Sequence, residues 1–290
     1  MSFFWYLTCP APLEYIEKFA DALEPHMLSV GWFESENPDV WIVEATVKQQ
    51  PNLPLLQSIV TDIARTLGVE TPPLNCEKLA NADWLEQTWK NFPPLEIARF
   101  YIYGSHTKGK IPPGLIGMEI NAATAFGSGE HETTTACLQT LCDFYDKGLK
   151  FTNPLDMGCG SGVLAMSIAK LWQIPVLAVD NDPESVKVTA QNALTNHCDQ
   201  LIRHVCNEGF AGNVVQKDGL FDLIVANILA GPLCDMAIEM VVNTTKGGRI
   251  VLSGLLTRQI DEVVTAYQAA GATLESVKKV ADWAALSLVK

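Results

Sequence analysis

The feature that most constrains the fold is a short glycine-rich run, LDMGCGSG at residues 155–162, between a strand pattern and a helix pattern. Its glycines, Gly158, Gly160 and Gly162, permit a sharp backbone turn and a close approach to a ligand that side chains would block. Such a loop lies at the carboxyl edge of a parallel sheet, where open α/β domains bind their ligands. The run therefore predicts a ligand-binding α/β domain around it.

The spacing of these glycines separates two classes of α/β protein. A nicotinamide dehydrogenase requires Gly-x-Gly-x-x-Gly, which would place the third glycine at the position of Val163. The form found here, Gly-x-Gly-x-Gly preceded by the acid Asp156, is typical of methyltransferases. A tight strand-to-helix turn without a ligand is the alternative that the loop by itself leaves open.

The order of strand and helix patterns around the loop predicts the architecture of the C-terminal part. A helix pattern at residues 131–145 precedes alternating patterns: strands at 154–157, 176–180, 201–206, 221–228 and 249–254, with helices at 163–171 and 183–196. Strict alternation predicts a doubly wound, Rossmann-like parallel sheet with helices on both faces. The last apolar run, residues 284–289, suits an antiparallel strand inserted beside the parallel ones.

The N-terminal part has a different order of patterns. Strand patterns at residues 3–7, 29–34, 40–47 and 74–79 and helix patterns at 13–23 and 53–67 give βαββαβ, the ferredoxin-like α+β arrangement. Prolines and glycines are frequent from 82 to 121, which suggests a linker with short strands such as 97–103. We therefore expect a small domain over 1–81, a linker over 82–121 and a larger domain over 122–290.

Composition and charge limit the expected binding partners and cellular location of the protein. A length of 290 residues fits two domains, and the net charge of -13 repels phosphate backbones and favours a basic protein partner over nucleic acid. Eight cysteines without a Cys-x-x-Cys pair are typical of a reducing cytosol. No apolar run approaches the ~20 residues that span a bilayer, and no positive charge precedes the N-terminal apolar run as in a signal peptide. The expectation is a soluble, cytoplasmic protein.

Two strand ends carry candidate site residues. Asp180 ends the strand pattern at 176–180, about 20 residues after the glycine loop, where an acid can accept hydrogen bonds from ribose hydroxyls. Asp182, before Pro183, has instead the pattern of a helix N-cap. Asn227 ends the strand pattern at 221–228, and its amide can both accept from and donate to a ligand. An exposed turn acid and a turn-capping amide are the non-functional alternatives for Asp180 and Asn227.

A metal site is not expected. His131 lies in a loop-to-helix segment with no second His or Cys nearby at ligand spacing.

Several segments together resemble one known family. They are DWLEQTWKNF at 83–92, AFGSGEHETT at 125–134, DMGCGSGVLA at 156–165, DNDP at 180–183, ANILAGP at 226–232 and LSGL at 252–255. In these segments the chain resembles the ribosomal protein L11 methyltransferase family, PrmA. The resemblance implies a class I methyltransferase that uses S-adenosylmethionine and has an N-terminal substrate-recognition domain. It also implies methylation of lysine side chains and the N-terminal amine of that ribosomal protein.

The resemblance also implies roles for individual residues. The family's cofactor contacts fall on Thr134, Gly158, Asp180 and Asn227, and Gly160 belongs to the same glycine loop. Asn227 and the backbone carbonyl after it are the candidates for orienting the amine. A lysine methyltransferase for another protein, a nucleic-acid methyltransferase and a non-catalytic binding module remain as alternative functions.

Overall fold

The computed structural model describes residues 3–35, 40–47, 49–80, 94–105, 111–120, 130–212 and 214–290. The chain divides into two compact units, residues 1–91 and 92–290. The motif at 83–92 lies entirely outside the described residues, as do 125–129 of the motif at 125–134 and the side chain of His131.

The first unit is a four-stranded sheet with two helices. Its elements are β1 (Phe3–Pro12), α1 (Ile16–Leu23), β2 (Ser29–Glu34), β3 (Val40–Val47), α2 (Leu53–Leu67) and β4 (Asn75–Ala80). The strand order is β2-β3-β1-β4 and every neighbouring pair is antiparallel. This topology confirms the predicted ferredoxin-like arrangement.

Alternation and helical spacing explain these elements. On β1 the buried residues Leu7, Cys9 and Ala11 continue the two-residue period, so the strand extends beyond the predicted end at residue 7. Helix α2 begins after Asn52, whose side chain accepts from the Leu55 amide at 3.2 Å, and ends at Gly68 with a φ of 71°.

The second unit contains a seven-stranded sheet and a three-stranded sheet. The elements are β5 (Leu95–Ile97), β6 (Phe100–Tyr103), β7 (Ile116–Glu119), α3 (Glu130–Asp146), β8 (Pro154–Met157), α4 (Val163–Trp172), β9 (Val176–Asp180), α5 (Pro183–Thr195), β10 (Ile202–Cys206), β11 (Phe221–Asn227), α6 (Ala230–Asp235), α7 (Ala237–Val242), β12 (Thr244–Leu256), α8 (Ile260–Ala269), β13 (Thr273–Val280) and β14 (Trp283–Val289).

The large sheet has the order β10-β9-β8-β11-β12-β14-β13. Strands β8 to β12 pair in parallel, and β14 pairs antiparallel with both β12 and β13. The predicted antiparallel strand at 284–289 is thereby confirmed. The strand order reverses between β8 and β11, and the crevice at such a switch point is where open α/β sheets bind ligands.

The central strands of this sheet are apolar on both faces, as buried parallel strands are. Leu155, Leu177 and Ile224 contribute to the core on one face of the sheet. Ala178 and Val225 contribute to the core on the other face, which α3 and α4 cover.

Three short strands in the segment that the sequence placed in a linker, β5, β6 and β7, form the smaller sheet. Phe100, Ile102 and Met118 are buried in the same core as residues of α3 and α4. The structure thus groups this segment with the second unit, and the domain boundaries at 81 and 121 stay proposals. Within the described ranges, no helix is both long and apolar enough to cross a membrane.

Candidate active site

The glycine loop folds back over the end of β9. The Gly158 and Cys159 amides both donate to the Val179 carbonyl, at 2.7 and 3.0 Å. The glycines at 158, 160 and 162 all have positive φ angles, of 74°, 52° and 78°. A Cβ at Gly158 would lie 2.4 Å from a methyl carbon of Ile228, so this position requires both the angle and the missing side chain.

Asp156 lies behind the loop and is 1% exposed. Its Oδ2 accepts from the Ala165 amide at 2.8 Å, which joins β8 to the first turn of α4. Burial, with a smaller contribution from the charge of Asp180, raises the pKa of Asp156 to about 7. This acid therefore supports the loop from within the protein.

Asp180 is bound to the glycine loop by its own carboxylate. Oδ2 accepts from the Gly160 amide at 2.9 Å, and Oδ1 accepts from the Asp182 amide at 3.0 Å. A carboxylate has about four lone-pair sites, so each oxygen can accept a further bond from a ligand hydroxyl. Asp182 accepts from the Glu184 and Ser185 amides at 3.0 and 3.2 Å, which confirms it as the N-cap of α5.

The side chain of Asn227, at the end of β11, is hydrogen-bonded to the side chain of Thr134. The Asn227 Nδ2 donates to the Thr134 Oγ1 at 3.3 Å, and Thr134, on α3, is 3% exposed. With its nitrogen directed to Thr134, the amide keeps its oxygen as an acceptor for an amine.

Strand β12 supports the peptide that follows Asn227. Ile228 donates its amide to the Ser253 carbonyl at 3.1 Å. Gly254 has a φ of 85°, and a Cβ there would lie 2.2 Å from the Ile228 carbonyl oxygen. Gly254 belongs to the LSGL motif, but the sequence predicted no role for it. The sequence feature that could have indicated a role is the position of this glycine at the carboxyl end of a predicted strand.

These elements enclose a cavity of about 400 Å³. Four of the predicted residues lie on its wall: Thr134, Gly158, Gly160 and Asn227. Asp180 is joined to the wall through the Gly160 amide. Further wall residues were not predicted from the sequence; they include Glu184, Ser185, Val188, Leu229 and Trp283.

The cavity fits a nucleoside-bearing methyl donor. Its volume lies in the range of small-molecule sites. Its wall combines glycine backbone, the carboxylates of Asp182 and Glu184, and the apolar side chains of Val188 and Trp283. Such a wall suits a ligand with hydroxyls, an aromatic base and a positive charge. The sheet order and this cavity at the switch point define a class I methyltransferase that uses S-adenosylmethionine.

Comparison with known proteins identifies the family. Residues 32–290 match the family model described as ribosomal protein L11 methyltransferase (PrmA). The chain belongs to this family, and it is an S-adenosylmethionine-dependent protein methyltransferase.

Two relatives named ribosomal protein L11 methyltransferase align over most of the chain. The protein from Mesorhizobium japonicum is 39% identical over 249 residues, 85% of this chain and 84% of the relative. The protein from Rhizobium meliloti is 40% identical over 234 residues, 80% of this chain and 79% of the relative. A solved structure of a ribosomal protein L11 methylase from Lactobacillus delbrueckii subsp. bulgaricus shares the fold. It has a TM-score of 0.58 and 23% identity, and covers 69% of this chain and 98% of its own.

Proposed function

We propose that this protein transfers methyl groups from S-adenosylmethionine to amino groups of ribosomal protein L11, on lysine side chains and the N-terminal amine. The observation that carries the proposal is the Asn227 amide on the cavity wall, fixed by Thr134 with its oxygen left to accept from an amine. The names of the relatives supply the identity of the protein substrate.

The chemistry requires a neutral amine aligned with the methyl group. The donor supplies a methyl group on a sulfonium sulfur. The amine lone pair attacks the methyl carbon in line, so that the C–N bond forms as the C–S bond breaks and the donor leaves as a neutral thioether. A lysine amine has an ordinary pKa of about 10.4 and is mostly protonated at neutral pH. The apolar side chain of Trp283 on the cavity wall would desolvate the amine and lower its pKa. Alignment of the neutral amine with the methyl group is then more important for the reaction than a strong general base.

Each predicted residue receives a role in this proposal. The Asn227 Oδ1 and the Ile228 carbonyl accept from the amine and direct its lone pair. Thr134 fixes the orientation of the Asn227 amide. At the other end of the cavity, backbone groups of Gly158 and Gly160 approach the donor, and Asp180 accepts from its ribose hydroxyls.

Labelled methyl transfer tests the substrate. The full chain is incubated with radiolabelled S-adenosylmethionine and, separately, purified L11, other ribosomal proteins and ribosomal RNA. We expect label in L11 alone. Label in another protein but not in L11 would show that the other protein is the substrate. Label in RNA would support the alternative of a nucleic-acid methyltransferase. The cytoplasmic location stays a prediction from the sequence.

A second experiment tests the proposed role of the first unit in recognition. A fragment starting at residue 92 keeps β5 and β6, and with them the buried Phe100 and Ile102. We expect the 92–290 fragment to bind S-adenosylmethionine like the full chain but to methylate intact L11 poorly. A tethered recognition domain contributes an effective concentration of roughly millimolar, which the fragment loses. Full methylation by the fragment would contradict this role.

A further inference from the structure

Helix α5 buries three polar side chains on the face that it turns toward the protein. Thr189, Asn192 and Asn196, the last being its C-cap, are 0%, 2% and 7% exposed. Their spacing of three and four residues places them in one row along the helix. Burying polar groups is costly unless they are hydrogen-bonded, so the partners of this row show what it contributes.

The first two residues of the row bind the glycine loop. The Thr189 Oγ1 donates to the Gly160 carbonyl at 2.8 Å, and the Asn192 Nδ2 donates to the Ser161 carbonyl at 2.9 Å. Because a trans peptide is planar, fixing the Gly160 carbonyl toward α5 turns the Ser161 N–H to the opposite side. The Asn192 bond fixes the next peptide, whose Gly162 N–H donates within the loop to the Cys159 carbonyl at 2.7 Å. Together the two bonds fix the conformation of the loop that lines the donor cavity.

Close packing supports the same arrangement. A Cβ at Gly162 would lie 2.9 Å from the Thr189 methyl carbon and 3.1 Å from its Oγ1. The Cys159 Sγ lies 3.3 Å from the same Oγ1. A hydroxyl has one hydrogen, so Thr189 can donate to Gly160 while it accepts from the Cys159 thiol. Loop and helix are thus fitted to each other over Cys159, Gly160 and Gly162.

The third residue binds elsewhere. The Asn196 Nδ2 donates to the Glu119 carbonyl at 2.6 Å and to the Asn192 carbonyl at 2.9 Å, and its Oδ1 accepts from the Glu119 amide at 2.8 Å. Glu119 ends β7 and is not among the described residues of the cavity wall. Asn196 therefore serves as an internal control for Asn192. Both are asparagines buried in the same row of the helix, but the partner of Asn196 lies outside the cavity wall.

We propose that Asn192, assisted by Thr189, is a positioning residue for methyl transfer. It holds the Ser161 peptide so that the glycine loop presents its backbone to the methyl donor. Asn196, on the same row, anchors β7 and has no such role. The inference depends on the donor cavity of the proposed function.

Paired substitutions separate positioning from folding. For Asn192→Ala and Asn196→Ala in the full chain, affinity for S-adenosylmethionine is measured by calorimetry and the Tm without ligand by thermal unfolding. We expect Asn192→Ala to weaken binding about three- to tenfold, as for the loss of one hydrogen bond. Asn196→Ala loses more bonds and should lower the Tm at least as much, yet keep its affinity within about twofold.

Two further variants make the test independent of how well Asn192→Ala folds. Thr189→Val keeps the shape of the side chain but removes the donor to Gly160, and we expect weaker donor binding. Asn192→Asp lacks a donor when ionised, but its acid form can donate to the Ser161 carbonyl. Burial raises the pKa of such a carboxyl. Donor affinity of Asn192→Asp, relative to wild type at each pH, should therefore recover as pH falls.

The outcomes are distinguishable. Wild-type affinity in Asn192→Ala and Thr189→Val, or equal loss of affinity in the Asn192 and Asn196 variants in proportion to Tm, would overturn the positioning role. A wild-type chain that binds no S-adenosylmethionine would instead overturn the proposed function, whatever the variants do.

Discussion

The two ends of the cavity, which we propose hold the methyl donor and the acceptor amine, are built differently. At the donor end, the loop of Gly158 and Gly160 is bound by Asp180, Thr189 and Asn192, through bonds of 2.8–2.9 Å. At the acceptor end, the side chain of Asn227 makes one bond within the described residues, to Thr134 at 3.3 Å.

This difference matches the two ligands. The donor is the same molecule in every turnover, so a preorganised backbone binds it without reordering. The proposed acceptors are amines on different parts of one protein, which a less constrained end can accept in turn. Leu229, next to the acceptor end, is 70% exposed and leaves that side accessible. The comparison predicts that substitutions at the donor end change affinity for the donor, whereas those at the acceptor end change turnover.

The largest effect is expected from Gly254→Ala at the acceptor end. A Cβ would lie 2.2 Å from the Ile228 carbonyl oxygen and 2.6 Å from its carbon, so the peptide after Asn227 must move. A displacement of about 1 Å at a reacting centre can cost on the order of a hundredfold in rate. We expect a loss of that size in kcat, with affinity for S-adenosylmethionine much less changed, measured by methyl transfer and calorimetry.

Gly247→Ala is the matched control. Gly247 lies on the same strand with a φ of 79°, but a Cβ there meets nothing within 4 Å. It tests the backbone strain without the collision. Equal losses in the two variants would show that strain, and not the Ile228 peptide, explains the effect.

The next largest effect is expected from Asp180→Ala at the donor end. The variant loses the proposed bonds to ribose and also the observed bond to the Gly160 amide. Affinity for S-adenosylmethionine should fall roughly ten- to hundredfold, as for one or two bonds to a charged group. Calorimetric titration measures it.

Asp222→Ala provides the comparison for Asp180→Ala. The Asp222 carboxylate likewise accepts from backbone amides, those of Thr152 and Asn153, at 2.6 and 3.1 Å, but it is not among the described wall residues. This variant should lose stability and keep its affinity. If Asp180→Ala binds as tightly as wild type, Asp180 has no part in the site.

The sequence predicted the donor end better than the acceptor end, because the signals of the donor end are local. The glycine spacing lies within one loop, and Asp180 follows a recognisable strand. The Asn227–Thr134 pair joins residues 93 positions apart, and no periodic pattern connects them. Thr134 was assigned only through the family resemblance. Leu229 and Trp283 reach the cavity through the packing of distant strands, which spacing along the chain does not show.

The elements of the fold that the sequence did not predict also lack a clear local signal. Helices α6 and α7 have six residues each, too few to show a helical period. Strand β13 is an edge strand with the largely polar sequence TLESVKKV. Strands β5 to β7 have three or four residues among prolines and glycines, so a segment buried in the second unit had the composition of a linker. Helices α4 and α5 and strands β8, β9 and β11 were predicted with nearly correct ends, whereas β1 and β12 extend beyond the predicted 3–7 and 249–254, and α8 was not predicted.

A smaller effect is expected from Asn227→Ala. Removing the amide takes away one neutral acceptor for the amine, so kcat should fall about tenfold. The free energy of unfolding should change little, because Asn227 is only partly buried. Asn243→Ala, which removes an amide bonded to the Glu239 carbonyl on the protein surface, controls for loss of an asparagine. Wild-type turnover in Asn227→Ala would make this residue structural.

The smallest effect on turnover, and a specific effect of pH on stability, are expected from Asp156→Asn. The amide oxygen can still accept from the Ala165 amide, so the loop keeps its support. The change removes a buried carboxyl behind the donor end, whose charged form burial disfavours, whereas the amide of Asn227 at the acceptor end does not titrate. The pKa of Asp156 is about 7 in the folded protein, against an ordinary value of 3.8.

Between these two pKa values the folded state binds a proton at Asp156 that the unfolded state does not. The acid therefore contributes stability below the unfolded pKa and loses it as pH rises through about 7. The unfolding free energy of wild type minus that of Asp156→Asn should fall as pH rises from 4 to 7, by at most about 1.4 kcal/mol per pH unit, and then level off. Denaturant titrations of both proteins across that range measure the difference. Parallel pH curves would show that Asp156 is ionised in the folded protein throughout, and that the Ala165 amide compensates for its burial.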